Sequence, residues 1–304
     1  MTPSSFLVLG AGELGMAVLR ALVTQAAPHS TRIAVLLRPA SMQSAAAQTL
    51  RELGVELVAG DLQNDSQSTL AALFSPFTTV ICCTGFAAGP GTQRKLAQAA
   101  IDGGVQRYVP WQFGVDYDVI GRGSPQDTFD EQLDVRDLLR GQHGTQWLII
   151  STGMFTSFLF EPSFGVVDLA HNTVHALGDW DTAVTVTTPE DIGRLTAQIV
   201  LAEPALTNQV VYTAGDTLTY GQLADTVDSV LDITLNRERW SVPSLLADLA
   251  KNPDDTLQKY RAVFAQGNGV AWDRAVTFNA QQHIAVTDVE RWIRQNLTAP
   301  ATTR

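Results

Sequence analysis

A glycine-rich run near the start of the chain has the spacing needed to hold a diphosphate. The run reads Gly10-Ala11-Gly12-Glu13-Leu14-Gly15, which is the pattern G-x-G-x-x-G. Its first glycine permits a tight turn, its second lets a diphosphate approach the backbone, and its third lets a helix pack closely on a strand. The N-terminus of the following helix offers free N–H groups to the phosphates. These residues are predicted to bind a dinucleotide; a glycine-rich turn without a ligand is the alternative.

The end of the second predicted strand indicates which dinucleotide to expect. Proteins that bind NAD usually place Asp or Glu there, to hold the 2′-hydroxyl of the ribose. This chain has Leu36-Leu37-Arg38-Pro39 instead, with no carboxylate. The planar guanidinium of Arg38 can form paired hydrogen bonds with a 2′-phosphate. We therefore expect NADP(H) rather than NAD(H), the alternative being that Arg38 is a solvated loop charge.

Other reactive residue types give weaker patterns. His171 and His175 have a spacing that can bind a metal on a helix, but the run between them predicts a strand or turn. Because neighbours in a strand point to opposite faces, Cys82 and Cys83 are expected as buried, reduced thiols, with redox sensing as the alternative. No Gly-x-Ser-x-Gly sequence supports a hydrolase. We predict no metal site.

The elements that must position these residues alternate regularly through the first half of the chain. Short apolar runs are followed by longer helical patterns, which is typical of parallel βαβ units. The predicted strands are Phe6–Leu9, Arg32–Leu37, Val55–Ala59, Thr79–Cys83, Arg107–Pro110 and Trp147–Ser151, and the predicted helices are Leu14–Gln25, Ala45–Leu53, Gln67–Phe74, Thr92–Ile101 and Phe129–Arg140.

The pattern loosens in the second half. A loop is predicted at 155–164 and strands at Thr182–Thr187 and Gln209–Thr213. Thr219 with Gln222, and Thr287 with Glu290, have the spacing of capping boxes that open helices.

Composition excludes several classes of protein. The 304 residues are 45% hydrophobic and 17% charged, as in a folded globular chain. A net charge of −11 repels nucleic acid and anionic membranes, so we expect neither as a partner. Because Phe6–Leu9 leads directly into glycines, it predicts a strand rather than a signal peptide. Together with the two reduced cysteines, this favours a cytoplasmic location, and an oligomer stays open.

Four motifs together resemble those of a known family. They are the glycine run, Arg38-Pro39, Gly60-Asp61 and the stretch Arg107-Tyr108-Val109-Pro110-Trp111-Gln112-Phe113-Gly114-Val115-Asp116. In this combination the chain resembles the isoflavone reductase-like and NmrA-like branch of atypical short-chain dehydrogenases. The resemblance implies an α/β fold with a Rossmann-type doubly wound parallel sheet at 1–155 and a smaller α/β C-terminal substrate lobe at 156–304. Some segments of the lobe would return to the Rossmann domain, and a cleft would separate the two.

The resemblance also implies which residues lie along the cofactor and the substrate. Ligands of parallel α/β sheets bind outside the carboxyl ends of the strands, which independently favours the same locations. Beyond the glycine run and Arg38, the cofactor residues would be Asp61, Thr84, Gly85, Phe86, Gln93, Trp111, Gln112 and Phe113. The substrate residues would be Asp116, Met154, Phe155 and Phe158, although the aromatic cluster could equally be ordinary core.

One departure from the family pattern affects the expected chemistry. Family reductases carry a lysine, in a Phe-x-x-Lys pattern, that organises proton transfer to the substrate. The matching run here is Phe129-Asp130-Glu131-Gln132, and no lysine lies between Lys95 and Lys251. A glutamine can donate and accept hydrogen bonds but cannot supply a proton at neutral pH. The Tyr-x-x-x-Lys pair of ordinary short-chain dehydrogenases is missing as well.

Two functions are compatible with these residues. In the first, the chain is an NADPH-dependent reductase of a small aromatic, carbonyl or quinone-like molecule. Gln132 and Tyr117 would then hold the developing oxyanion, although Tyr117 could instead be a packing residue. Asp116 and Asp118 could pair for acid–base chemistry or form a turn. In the second function, the chain is a non-catalytic NADP(H) sensor of the NmrA type, which the missing lysine favours.

Overall fold

The computed structural model describes residues 4–26, 31–86 and 89–297. By backbone contacts the chain divides into two compact units. The first unit is Met1–Phe113, Asp130–Ile150 and Pro189–Val211, and the second is Gly114–Phe129, Ser151–Thr188 and Tyr212–Arg304. In this division Gly114–Phe129 groups with the second unit and Pro189–Val211 with the first, and the predicted domains at 1–155 and 156–304, with some segments returning, stay a prediction. A substrate-binding role for the second unit stays a prediction.

The first part of the chain alternates strands and helices much as its apolar pattern predicts. The elements are β1 (Ser5–Leu9), α1 (Glu13–Ala26), β2 (Arg32–Leu37), α2 (Ala45–Glu52), β3 (Glu56–Ala59), α3 (Gln67–Phe74), β4 (Thr79–Cys82), α4 (Thr92–Asp102), β5 (Arg107–Val109), α5 (Tyr117–Ile120), α6 (Thr128–Arg140) and β6 (Gln146–Ser151). All six predicted strands and five predicted helices are present, with ends that shift by at most two residues.

The second part of the chain contains shorter elements, several of which the sequence pattern missed. They are β7 (Met154–Phe155), β8 (Val167–Asp168), β9 (Thr173–Leu177), β10 (Ala183–Thr187), α7 (Pro189–Val200), β11 (Gln209–Tyr212), β12 (Asp216–Thr219), α8 (Tyr220–Leu231), β13 (Asn236–Trp240), α9 (Val242–Lys251), α10 (Thr256–Ala265), α11 (Phe278–Gln281) and α12 (Val289–Asn296).

The first unit is a seven-stranded sheet with the order β11-β6-β5-β4-β1-β2-β3. Strands β1 to β6 pair in parallel, in the register Leu7↔Ala34 and Leu7↔Val80 at the centre. The order 3-2-1-4-5-6 is that of a doubly wound Rossmann sheet, whose direction of winding reverses between β1 and β4. The predicted fold class is confirmed.

Helices cover both faces of this sheet. On one face α3, α4 and α6 pack Phe74, Leu96 and Leu139 into a continuous core with the strands. On the other face α1 packs against α7, and the two backbones approach closely at Gly193, where a Cβ would lie 2.8 Å from the Cβ of Ala17. Burial on both faces explains why the strands are continuous apolar runs.

The second unit contains two three-stranded sheets, β12-β10-β7 and β13-β9-β8, with α5 and α8–α12. Two details of the sequence prediction are wrong here. The stretch expected to be a loop contains β7 and a short 3₁₀ helix, Thr156–Phe160. The last helix is capped by Asp288, which accepts a hydrogen bond from the backbone N–H of Arg291, and not by Thr287. The capping box of Thr219 and Gln222 is confirmed.

Candidate functional site

The junction between β1 and α1 is shaped by three glycines that serve different purposes. Gly10 has a φ of +92°, and a Cβ on it would lie 2.5 Å from Oγ1 of Thr84. A Cβ on Gly15 would overlap the carbonyl oxygen of Gly10, so α1 can pack against the strand only with glycine here. A Cβ on Gly12 would meet nothing within 4 Å. The turn is therefore closely packed on the side of Gly10 and Gly15, and it is open on the side of Gly12.

An open cavity of about 420 Å³ lies in front of this turn. Its size is within the range of small-molecule sites, roughly 300–1,000 Å³. Because the backbone N–H groups at the start of α1 have no partner within the helix, they are available to an anion there. The cavity is lined by Gly10, Ala11, Gly12, Leu36, Leu37, Arg38, Ser41, Ser44, Ala46, Gly60, Asp61, Leu62, Gln63 and Thr84.

Arg38 lies at the mouth of the cavity, where β2 ends. Its side chain is exposed, and Pro39 begins a one-turn helix whose Ser41 N–H donates to the Arg38 carbonyl oxygen at 2.8 Å. On the neighbouring strand end, hydrogen bonds from Asn64 and, among the weaker causes, the charge of Arg38 lower the pKa of Asp61. The sequence identified Arg38 and Asp61 but missed Ser41 and Ser44, which a loop position directly after β2 could have suggested.

Glu13 and Leu14 complete the predicted phosphate run, and their side chains point to different surroundings. Glu13 is exposed at the first position of α1, whereas Leu14 is 5% exposed and belongs to the core. For Leu14, the backbone N–H is therefore suited to an anion, whereas the buried side chain is not.

The loop after β4 continues from the cavity and packs on an aromatic pair. Thr84 lines the cavity and donates from Oγ1 to the carbonyl oxygen of Leu9 at 3.0 Å. The rings of Phe86 and Trp111 meet edge to face, with centroids 4.6 Å apart. A Cβ on Gly85 would lie 2.9 Å from the indole of Trp111, so this loop and the segment after β5 are in direct contact.

Gln93 is buried behind this loop. Its side-chain Nε2 donates to the carbonyl oxygen of Thr84 at 2.8 Å and, more weakly, to that of Gly85 at 3.4 Å. Cys82 donates from Sγ to Oε1 of Gln93 at 3.7 Å. The side chain of Gln93 thus fixes the loop; its predicted place along the cofactor stays a prediction.

The two cysteines lie on the strand that leads into this loop. Both are free and buried, and burial raises the pKa of Cys82 to about 11 and the pKa of Cys83 well above its ordinary value. The thiols are neutral at physiological pH, as expected for packing residues.

The segment after β5 leads into a buried pair of glutamines. Gln112 donates from Nε2 to the backbone oxygen of Gln132 at 2.9 Å and accepts at Oε1 from Nε of Arg136 at 2.7 Å. Gln132 is 0% exposed. Neither its Oε1 nor its Nε2 has a hydrogen-bond partner among the described residues. Phe113, the last predicted cofactor residue, is 5% exposed.

The buried and unpaired amide of Gln132 is unusual for a folded protein. Leaving a buried polar group unpaired costs about 1–3 kcal/mol, so nearly all such groups have partners in folded proteins. The structure therefore places a donor group and an acceptor atom on α6, neither of which has a partner among the described residues.

The predicted substrate residues lie in the second unit. Asp116 caps α5 by accepting from the N–H of Asp118 at 3.1 Å, and it accepts from the hydroxyl of Tyr212 at 2.6 Å. This geometry favours the turn over an acid–base pair of Asp116 and Asp118. Tyr117 is 3% exposed, and its ring packs edge to face on Phe129 at 4.9 Å.

The aromatic residues of the second unit form a packed cluster. Met154 is 6% exposed on β7, and Phe155 is half-buried beside it. Phe158 stacks on Phe164 with centroids 4.4 Å apart and meets Tyr260 edge to face at 6.3 Å. Whether this cluster contacts a substrate stays a prediction.

The histidine pair has structural partners instead of a shared ligand. His171 interacts with Asp168 at 2.7 Å, and His175 on β9 contacts the carbonyl oxygen of Gly165 at 2.7 Å and stacks on Trp240. Within the described part of the chain, no three His, Cys, Asp or Glu side chains form a metal-binding group. No helix in that part is long and apolar enough to cross a membrane.

The sheet order, the open glycine turn and the cavity in front of it define a protein of the Rossmann class. A family model makes the assignment more specific: the NmrA-like family matches residues 3–293, so the chain belongs to the NmrA-like family.

Comparisons with known proteins agree with this family. An NmrA-like family domain-containing oxidoreductase from Gibberella moniliformis is 46% identical over 95% of this chain and 97% of its own length. Isoflavone reductase homolog P3 from Arabidopsis thaliana is 26% identical over 87% and 88% of the two chains. The solved structure described as AtPrR2 with NADP+ and (+)pinoresinol has a TM-score of 0.80 at 19% identity, covering 97% of this chain and 99% of that one.

Proposed function

We propose that this chain binds NADP(H) at the β1–α1 junction and reduces a small aromatic, carbonyl or quinone-like molecule. The observation that carries the proposal is that one open cavity is lined both by Gly12, beside which there is free space, and by Arg38. The relatives support it, since the 46% identical protein is described as an oxidoreductase and the structural neighbour was solved with NADP+.

The residues that line the cavity fit the parts of such a cofactor. The N–H groups at the start of α1 would hold the diphosphate, with Gly12 leaving the space that it needs. Arg38 would hold the 2′-phosphate, because the end of β2 carries no carboxylate for a free 2′-hydroxyl. Leu36, Leu37 and Leu62 supply apolar walls for the adenosine end.

The residues beyond Thr84 would orient the reacting end. When bound, the nicotinamide supplies the hydride. The contact of Gly85 and Phe86 with Trp111 provides an aromatic surface that would fix the position of the nicotinamide ring. Substrate binding would have to uncover the buried amide of Gln132, which would then donate a hydrogen bond to the substrate oxygen that gains charge. Because an amide holds no transferable proton at neutral pH, we propose that water supplies the proton.

A second candidate function rests on the same amide. A chain that binds NADP(H) without reacting would serve as a sensor of the NADPH/NADP ratio, and it would not need the lysine that Gln132 replaces. The packing of Tyr117 against Phe129 favours this alternative, because it accounts for that phenol without catalysis. We propose a cytoplasmic location in either case, since both thiols are reduced.

The proposal is tested in two stages. Titration calorimetry of the purified chain should show NADPH binding at least ten-fold tighter than NADH. NADPH oxidation is then followed at 340 nm with quinones, aldehydes, enones and aryl ethers, with heat-denatured protein as the control. Turnover with any class supports the reductase, whereas tight NADPH binding without turnover favours the sensor. The absence of heat with both nucleotides would overturn both functions.

A further inference from the structure

Helices α1 and α4 both begin at the carboxyl edge of the sheet, but different groups face their first backbone N–H groups. The start of α1 faces the open cavity. The start of α4 is covered by the carboxylate of Glu131, a residue on α6. Glu131 accepts from the backbone N–H of Gly91 at 2.9 Å through Oε2, and from those of Gln93 at 2.8 Å and Arg94 at 3.2 Å through Oε1.

The bonds made by Glu131 continue into the loop after β4. Gln93, whose N–H Glu131 holds, is the residue whose side chain donates to the carbonyl oxygens of Thr84 and Gly85. Gln93 is 3% exposed, so solvent does not compete for these bonds. A continuous path of hydrogen bonds therefore leads from Glu131 through the first turn of α4 to the loop that packs on Trp111.

We propose that Glu131 is a positioning residue that fixes the Thr84–Phe86 loop for hydride transfer. The inference rests on the proposed function, because it assigns the reacting end of the cofactor to this loop. Glu131 touches neither cofactor cavity nor reacting atoms and acts through Gln93. It also precedes Gln132 directly on α6, so one helix sets both the loop and the free amide.

The physical basis is the strength of the carboxylate cap. Hydrogen bonds between an ionised carboxylate and backbone N–H groups are about twice as strong as neutral ones, and the positive end of the α4 dipole adds to them. By occupying this helix start, Glu131 also leaves α1 as the favoured place for a diphosphate. Reaction rates are sensitive to such positioning, since a displacement of about 1 Å can cost 100-fold in rate.

The test uses the full chain with Glu131→Gln and, as the matched control, Glu190→Gln. Glu190 is also in the first turn of a helix of the first unit and is exposed. Glutamine at 131 keeps one acceptor oxygen but turns an N–H₂ group toward a backbone donor. We expect the turnover number to fall 10- to 100-fold, with the Kd for NADPH changed less than about three-fold. Amide hydrogen exchange at 84–86 should accelerate by at least ten-fold. The control should change none of the three.

A double-mutant cycle with Gln93→Met separates this path from a general loss of stability. If Glu131 acts through Gln93, the effects of the two changes on exchange at 84–86 are not additive. Additive effects, or wild-type exchange in Glu131→Gln, would overturn the proposal. If Glu131→Gln does not fold, Gln93→Met alone must accelerate exchange at 84–86, and wild-type exchange in that variant contradicts the proposal.

The outcomes also distinguish this proposal from the proposed function. Hydrogen exchange is measured without cofactor or substrate, so it tests the path even if the chain proves to be a sensor. A wild-type chain that binds no NADPH would refute the proposed function while leaving the path intact. A wild-type chain that turns over, with Glu131→Gln equally active, would refute the positioning residue alone.

Discussion

The candidate site of the first unit has two ends, the β1–α1 junction and the glutamines behind β5. The first end presents backbone groups and the second presents side chains. At the β1–α1 junction the binding groups are backbone N–H groups, exposed by glycines and followed by an open cavity. Behind β5 the relevant groups are the side chains of Gln112 and Gln132, both at 0% exposure. The amide of Gln112 is hydrogen-bonded at its nitrogen and its oxygen, and that of Gln132 at neither. The first end is an open cavity at the start of a helix, and the second is a small polar position inside the core.

This difference explains why binding is easier to infer than chemistry. The glycine turn needs particular residues for steric reasons, so its function is visible in the local pattern. The role of Gln132 depends on which atoms surround it, and one substitution can change the reaction without changing the fold.

The largest effect is expected at the closed side of the turn. In Gly15→Val the new side chain overlaps the Gly10 carbonyl oxygen, so the free energy of unfolding should fall by about 3 kcal/mol. Gly12→Ala is the matched control, because its Cβ meets nothing within 4 Å. It should retain wild-type stability within about 0.5 kcal/mol and yet bind NADPH at least ten-fold more weakly. Urea denaturation and calorimetry measure the two quantities, and a stable Gly15→Val would contradict the account of the turn.

The next effect concerns selection between the two nucleotides. Arg38→Ala should raise the Kd for NADPH by 10- to 100-fold, about 1.4–2.7 kcal/mol, and leave the Kd for NADH unchanged. Arg38→Lys should be intermediate, since it keeps the charge but loses the planar fork. Arg20→Ala, a change to another exposed cation of the same unit, serves as the control. Equal weakening of both nucleotides by Arg38→Ala would show that Arg38 does not recognise the 2′-phosphate.

The buried end provides a pair of opposite effects on stability. Gln132→Met removes two unpaired polar atoms at similar volume, so the free energy of unfolding without ligand should rise by about 1 kcal/mol. Gln112→Met removes two hydrogen bonds and should lower it by roughly 1–3 kcal/mol. Urea denaturation of both variants is the measurement. If Gln132→Met is less stable than the wild type, the amide of Gln132 has a partner in solution.

The smallest expected effect concerns the thiols of Cys82 and Cys83, which directly precede the loop that begins at Thr84. Because burial raises the pKa of Cys82 to about 11, the native chain should react negligibly with iodoacetamide at pH 8.5. The same chain in urea should react at both cysteines. A rapid reaction of the native chain with one thiol would support redox sensing over packing.

Much of the fold, and the residues at the β1–α1 junction, can be predicted from the sequence, because they depend on short local patterns. The central strands β1, β2 and β4 are buried on both faces and have continuous apolar sequences, and Arg38 follows directly after β2. The capping of the last helix was misassigned by one residue, because Thr287 and Asp288 are both good caps and only backbone geometry chooses between them.

The features that escaped prediction depend on residues distant in sequence. Glu131 and Gln93 are 38 positions apart, and no spacing rule connects a carboxylate on one helix to the start of another. Likewise, glutamine at position 132 could be recognised as a departure from the family, but its unpaired amide follows only from the packing around it.

The close approach of α7 to α1 has a consequence for how the molecule is made. The sheet that carries the glycine turn is completed by β11 and covered by α7, both of which come after residue 188 in the chain. A fragment that stopped at residue 155 would leave the apolar side of α1 bare and the edge of β6 unpaired, and we expect it to aggregate. During synthesis, the nucleotide-binding half should therefore mature only after Val211 has left the ribosome.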